Sequence, residues 1–114
     1  MSEVMNEVQE LEQFKADQKT LVDARDQALR LYENKDFREL IVNGFCLHEA
    51  ARYAQESGDP MLSADQRQDA LNMAQASGHL KRFLSITVVM GNTAAKNMLE
   101  ADVALDAARA EAQG

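Results

Sequence analysis

Apolar Val4, Val8 and Leu11 open the chain at steps of four and three, and no Gly or Pro falls before Gly44. The pattern predicts a long first helix, residues 1–33, with its stripe beginning at Val4. Continued in the same register, the stripe meets Lys15, Gln18 and Arg25 and reads as degrading. Phe14, Leu21 and Ala28 form a second row seven residues apart, with Ala24 and Leu31 beside it. An isolated coiled coil needs one sustained apolar seam. This helix is therefore expected to bend around a partner or to change neighbours partway.

Asn34-Lys35-Asp36 breaks the pattern, and Asp36 with Glu39 three residues on follows the logic of a capping box. A second helix is expected over 36–57, with Phe37, Leu40, Ile41, Phe45, His48 and Ala51 along one side. Gly44 lies in that face, where a missing side chain would let another backbone approach. Gly58 and Pro60 supply the stop. Ser63-Ala64-Asp65-Gln66 is a Ser-x-x-Gln capping box and opens a third helical region, 63–113, with a break or kink expected near Ser77-Gly78 and Gly91-Asn92.

From Leu80 a single register holds through Leu84, Thr87, Gly91, Ala94, Met98, Ala101, Leu105, Ala108 and Ala112, the coiled-coil period. Thr87, Ala94, Ala101 and Ala108 make one row of it small throughout, which permits close helix packing. The seam suits packing within the chain and between copies equally. As a protein interface, Leu80, Leu84, Met98 and Leu105 would anchor it, and Ala94, Ala101 and Ala108 would set its closeness. The expected fold is all-α: a single helical domain, 1–114, of three to four helices, with a long N-terminal helix and a long, kinked, coiled-coil-like C-terminal one.

Composition narrows the function classes. At 114 residues the chain is one domain, and 46% hydrophobic residues exclude disorder throughout. Aromatics are 5%, so Leu, Ile, Val, Met and Ala must do most of the packing. The net charge of −7 disfavours general DNA or RNA binding, which draws on phosphate neutralisation. Glu3, Glu7, Glu10 and Glu12 meet no base before Lys15, and Glu100, Asp102, Asp106 and Glu111 meet only Arg109. Between these acidic ends, 79–99 is mildly basic with Lys81, Arg82 and Lys96, a layout that favours head-to-middle contacts between copies. The acidic start lacks the basic and apolar segments of a secretory signal, and no apolar run nears the roughly 20 residues of a membrane span. The chain is expected to be soluble and intracellular when made.

Candidate chemistry is thin. His48-Glu49-Ala50-Ala51-Arg52 approaches the helical zinc-protease signature, but Arg52 stands where the second His ligand is needed. His79 has no evident carboxylate partner. Cys46 lies two residues from His48, and such positions face different sides of a helix. A lone cysteine among Phe45 and Leu47 reads as an inert, semi-buried thiol and allows no disulfide within the chain. Asp65/Asp69 and Asp102/Asp106 each put two carboxylates on one helical face, which a solvated surface explains. Lys81-Arg82-Phe83 is too small for a nucleic-acid platform, and the isolated glycines form no phosphate loop. No catalytic, cofactor or metal site is expected.

Lys35-Asp36-Phe37-Arg38-Glu39-Leu40-Ile41, Gly44-Phe45, Glu49-Ala50-Ala51-Arg52, Asp59-Pro60-Met61, Leu80 to Leu84 and Met90-Gly91-Asn92-Thr93-Ala94 together carry a resemblance. Over roughly residues 20–110 the pattern resembles small acidic α-helical proteins of tailed bacteriophages from the structural or head-morphogenesis region. The resemblance implies a virion component or assembly factor and carries over no catalytic residue. Its partners would be itself, as a homo-oligomer, or a larger phage capsid or connector protein, with no specific nucleic acid and no membrane. It would be made in the host cytoplasm and retained in the virion if it is a structural subunit. A competing reading is a small acidic phage regulator that binds and inhibits a host protein, its carboxylates standing in for phosphates.

Overall fold

The computed structural model describes residues 2–114, and among these every regular element is helical. In chain order these are α1 (Ser2–Glu33), α2 (Lys35–Phe37), a π-helix, π1 (Arg38–Glu49), α3 (Ala50–Ser57) and α4 (Ala64–Gln113). The fold is all-α, with a long N-terminal and a long C-terminal helix.

α1 runs unbroken over 32 residues rich in Glu, Gln, Leu and Ala. Exposed partners four apart, Gln13 with Asp17 and Lys19 with Asp23, support its surface. It stops because Asn34 takes an extended backbone, φ −76° and ψ 123°. Asn34 Oδ1 then accepts from the Phe37 amide at 2.9 Å, so the cap is Asn34 rather than the expected Asp36. Glu39 is not drawn into a reciprocal cap and lies 3.8 Å from Lys35 Nζ.

The expected second helix is present, but twelve of its residues are π-helical, with hydrogen bonds reaching five residues back. The wider turn changes its inner face. Phe37, Ile41, Val42, Phe45, Cys46 and Ala50 are half-buried at steps of about four to five residues, while Leu40, His48 and Ala51 are exposed. Gly44 also acquires a different role. A Cβ there would meet only the Glu39 carbonyl, five residues back at 3.0 Å, and no backbone of another element. Gly44 accommodates the wide turn itself.

Ser57 ends α3, and the Asp59 carboxylate accepts from the Met61 amide at 2.9 Å in the turn that follows. Ser63 and Gln66 then form the expected reciprocal box. The Ser63 amide donates to Gln66 Oε1 at 3.0 Å, and the Gln66 amide to Ser63 Oγ at 3.1 Å. α4 continues for 50 residues without the expected interruption, since Gly78 and Gly91 both keep ordinary helical backbone. No helix among the described residues is long and apolar enough to cross a membrane.

The chain divides into two compact units, Met1–Gln27 with Thr87–Gly114 and Ala28–Ile86. In the first, α1 and α4 lie antiparallel: Glu12 pairs with Arg109, Lys15 with Asp102, Gln18 with Asn97 and Arg25 with Asn92. In the second, Ala28, Ala70, Ser77 and Leu84 are buried, and the Tyr32 and Phe37 rings meet edge to face with centroids 6.1 Å apart.

Candidate interaction surface

Within the first unit, Ala94, Ala101, Leu105 and Ala108 of α4 are buried and Met98 is half-buried. Facing them, α1 presents Val4, Val8, Leu11, Lys15, Gln18, Val22 and Arg25, all half-buried at alternating steps of four and three. The stripe that read as degrading therefore continues through its polar members. Their apolar stems cover the seam and their polar ends reach across it. Lys15 Nζ lies 2.5 Å from Asp102, and Asn97 Nδ2 donates to Gln18 Oε1 at 3.1 Å. Arg25 Nη1 donates to Asn92 Oδ1 at 3.2 Å. Gly91 makes that crossing possible, because a Cβ added there would sit 2.1 Å from the Arg25 Cβ.

The seven positions that the sequence offers as a protein interface are thus occupied inside the chain. Ala94, Met98, Ala101, Leu105 and Ala108 belong to the first unit's seam, Leu84 is buried in the second unit, and Leu80 is half-buried there. None is a free anchor for another molecule while α1 and α4 remain packed.

What remains exposed is a different row of α4. Asn92, Lys96, Leu99, Val103, Asp106 and Ala110 follow one another at steps of four and three, and every one is exposed. Leu99 and Val103, at its centre, keep 69% and 71% of their surface open. Val89, one step earlier, is exposed as well. Lys96 and Asp106 form no ion pair among the described residues. The spacing of this row was present in the sequence, overshadowed by the longer register beginning at Leu80.

In the second unit, Tyr32, Val42, Asn43, Cys46, Leu47, Lys81, Leu84 and Ser85 line a groove of about 210 Å³. Its lining is mixed, with Cys46 half-buried between apolar Val42, Leu47 and Leu84 and polar Asn43, Lys81 and Ser85. Leu40 and Leu47 of π1, Met61 in the turn and Phe83 on α4 are also exposed.

The residues singled out for chemistry do not converge. His48 and His79 are exposed. Glu49 and Arg52 of the zinc-like segment pair with each other, and Arg52 Nη1 also lies 2.6 Å from Glu56 Oε1. Hydrogen bonds donated to Glu49 and then to Glu56 hold the Arg52 guanidinium more firmly protonated than usual. Arg52 further stacks 4.5 Å from the Tyr53 ring centre. Among the described residues, no three His, Cys, Asp or Glu are placed to hold a metal ion. No protein-family model, curated protein or solved structure matches the chain.

Proposed function

We propose that the chain is a non-enzymatic bacteriophage assembly protein, a virion subunit or head-assembly factor working by coiled-coil-like helix packing with itself or a larger capsid or connector protein. The observation that carries the reading is the exposed row of α4, with Leu99 and Val103 open to solvent at its centre. Large apolar side chains held in helical register on a rigid element suit the docking of another helix. Covering each would contribute roughly 1.5–3 kcal/mol. Exposed Leu40, Leu47 and Met61 add apolar contact points in the second unit. The resemblance of 20–110 to small acidic phage proteins supplies the biological setting.

The test is to purify virions and capsid precursors from the phage that encodes the chain and to probe both by mass spectrometry. Recovery at a fixed ratio to the major capsid or connector protein supports the reading. Absence from both particle types overturns it, and a gene lying outside any phage or prophage would do the same.

A further inference from the structure

We propose that the exposed row of α4 is an isologous interface with a second copy of this chain, the two α4 helices lying antiparallel across a two-fold axis level with Ala101. The inference rests on the assembly reading above and names one partner for it. An antiparallel two-fold contact must match each position to its mirror along the helix, because residue i meets j wherever j meets i.

The row meets that condition. Leu99 and Val103 each lie two residues from Ala101, about 3 Å along the axis, so Leu99 of one copy lies level with Val103 of the other. Lys96 and Asp106 each lie five residues away, about 7.5 Å, which brings an ammonium of one copy to a carboxylate of the other, twice. Asn92 and Ala110 are matched next, a polar side chain beside a small one. The order along the row is therefore self-complementary in charge as well as in apolar character. Lys96 and Asp106 are exposed and form no ion pair of their own among the described residues. A parallel arrangement would set Lys96 against Lys96 and Asp106 against Asp106, so the charges select the antiparallel one.

The face is also available. Ala101 and Leu105 point their side chains into the first unit's own seam, while the proposed row is exposed, so a second copy can dock with α1 and α4 still packed. Docking joins two apolar layers at the centre and closes them at either end with opposite charges.

Sedimentation equilibrium on the full chain, from micromolar to millimolar concentration, tests the proposal. The wild-type chain is expected to dimerise, and Leu99→Asp to raise the dissociation constant about a hundredfold or more. Lys96→Asp and Asp106→Lys are each expected to weaken the dimer about tenfold, and the double variant Lys96→Asp/Asp106→Lys to recover it to within about threefold. Circular dichroism should show unchanged helix content in all four variants, because the substituted side chains are exposed. A wild-type chain that stays monomeric overturns the proposal, as does an oligomer indifferent to Leu99→Asp. Single swaps that weaken the dimer without mutual rescue overturn the antiparallel register. The assembly reading fails separately, through absence of the chain from particles.

Discussion

In the first unit two helices meet along seven-residue rows, and Lys15, Gln18 and Arg25 of α1 close the seam with cross-helix polar contacts. In the second, the buried positions of the long helices are Ala28, Ala70, Ser77 and Leu84, and a π-helical segment supplies Val42, Cys46 and Leu47 to a groove beside Leu84. The interior of the two-helix contact is narrow: Ala94, Ala101, Leu105 and Ala108 of α4 fill it, and the long residues of α1 serve as half-buried edges. In the second unit the buried positions are likewise small apart from Leu84. Even Ser77 is accommodated at 2% exposure, since its hydroxyl donates to the Ala74 carbonyl at 2.7 Å. The same helix therefore carries two solutions, and it leaves its outer face open where only α1 accompanies it.

Gly91 is the position at which this comparison breaks most easily. Its missing Cβ is where the Arg25 stem crosses α4, and the atom it would strike at 2.1 Å is the root of that side chain rather than a movable tip. Gly91→Leu is expected to lower stability by about 3 kcal/mol, because α1 must move away to admit it. Urea unfolding reads the loss as a lower midpoint. A midpoint unchanged from wild type would mean that the two helices do not approach closely there.

The polar seam can be sharpened in the opposite direction. Replacing both Gln18 and Asn97 by Leu removes a matched pair without orphaning either member, and adds apolar contact to half-buried positions. A gain of about 1 kcal/mol is expected in urea unfolding of the double variant. Gln18→Leu alone leaves Asn97 without its partner across the seam, so it should gain less. If the double variant is the less stable one, the polar contact holds the register better than apolar packing would.

Much of this arrangement was legible in the sequence. The length of α1, the stop at Ser57 to Pro60, the Ser63 box and the register from Leu80 onward all follow from local rules that tertiary contacts reinforce. The features that escaped share a cause. Lys15, Gln18 and Arg25 read as interruptions because a polar residue in a stripe reveals its place only once the opposing Asp102, Asn97 and Asn92 are in position. π1 escaped because the same apolar residues fit a turn of 3.6 residues through Leu40 and His48, or a wider one through Val42 and Cys46. Propensity does not separate those two readings. Asn34 and Asp36 are both good caps, and only the extended backbone at Asn34 decides between them. The outer row of α4 was hidden because two rows at the same spacing share the helix, and the longer one drew the reading.

Capping gives a smaller effect in the second unit. Ser63→Ala removes one side of a reciprocal pair and leaves the Gln66 amide without the oxygen it now reaches at 3.1 Å. A loss of about 1 kcal/mol is expected, with faster amide exchange confined to the first turn of α4. Exchange that accelerates equally near Gly114 would mean that the helix frays as a whole.

Gly78 provides the smallest effect and the cleanest contrast with Gly91. Both are helical glycines on α4, thirteen residues apart, yet a Cβ at Gly78 would meet nothing within 4 Å. With no contact to oppose it, Gly78→Ala gains the helix propensity that glycine lacks, about 0.5–1 kcal/mol. The identical substitution at Gly91 gains the same propensity and then loses more to the collision with Arg25. Thermal unfolding of the two alanine variants should therefore move in opposite directions from wild type. If both rise, Arg25 yields without displacing α1 and the close crossing at Gly91 is not a constraint. If both fall, a contact made by the second unit near Gly78 is tighter than its open surroundings indicate. Opposite signs would establish that helix propensity governs α4 where its surface is open, and interhelix distance governs it where α1 crosses.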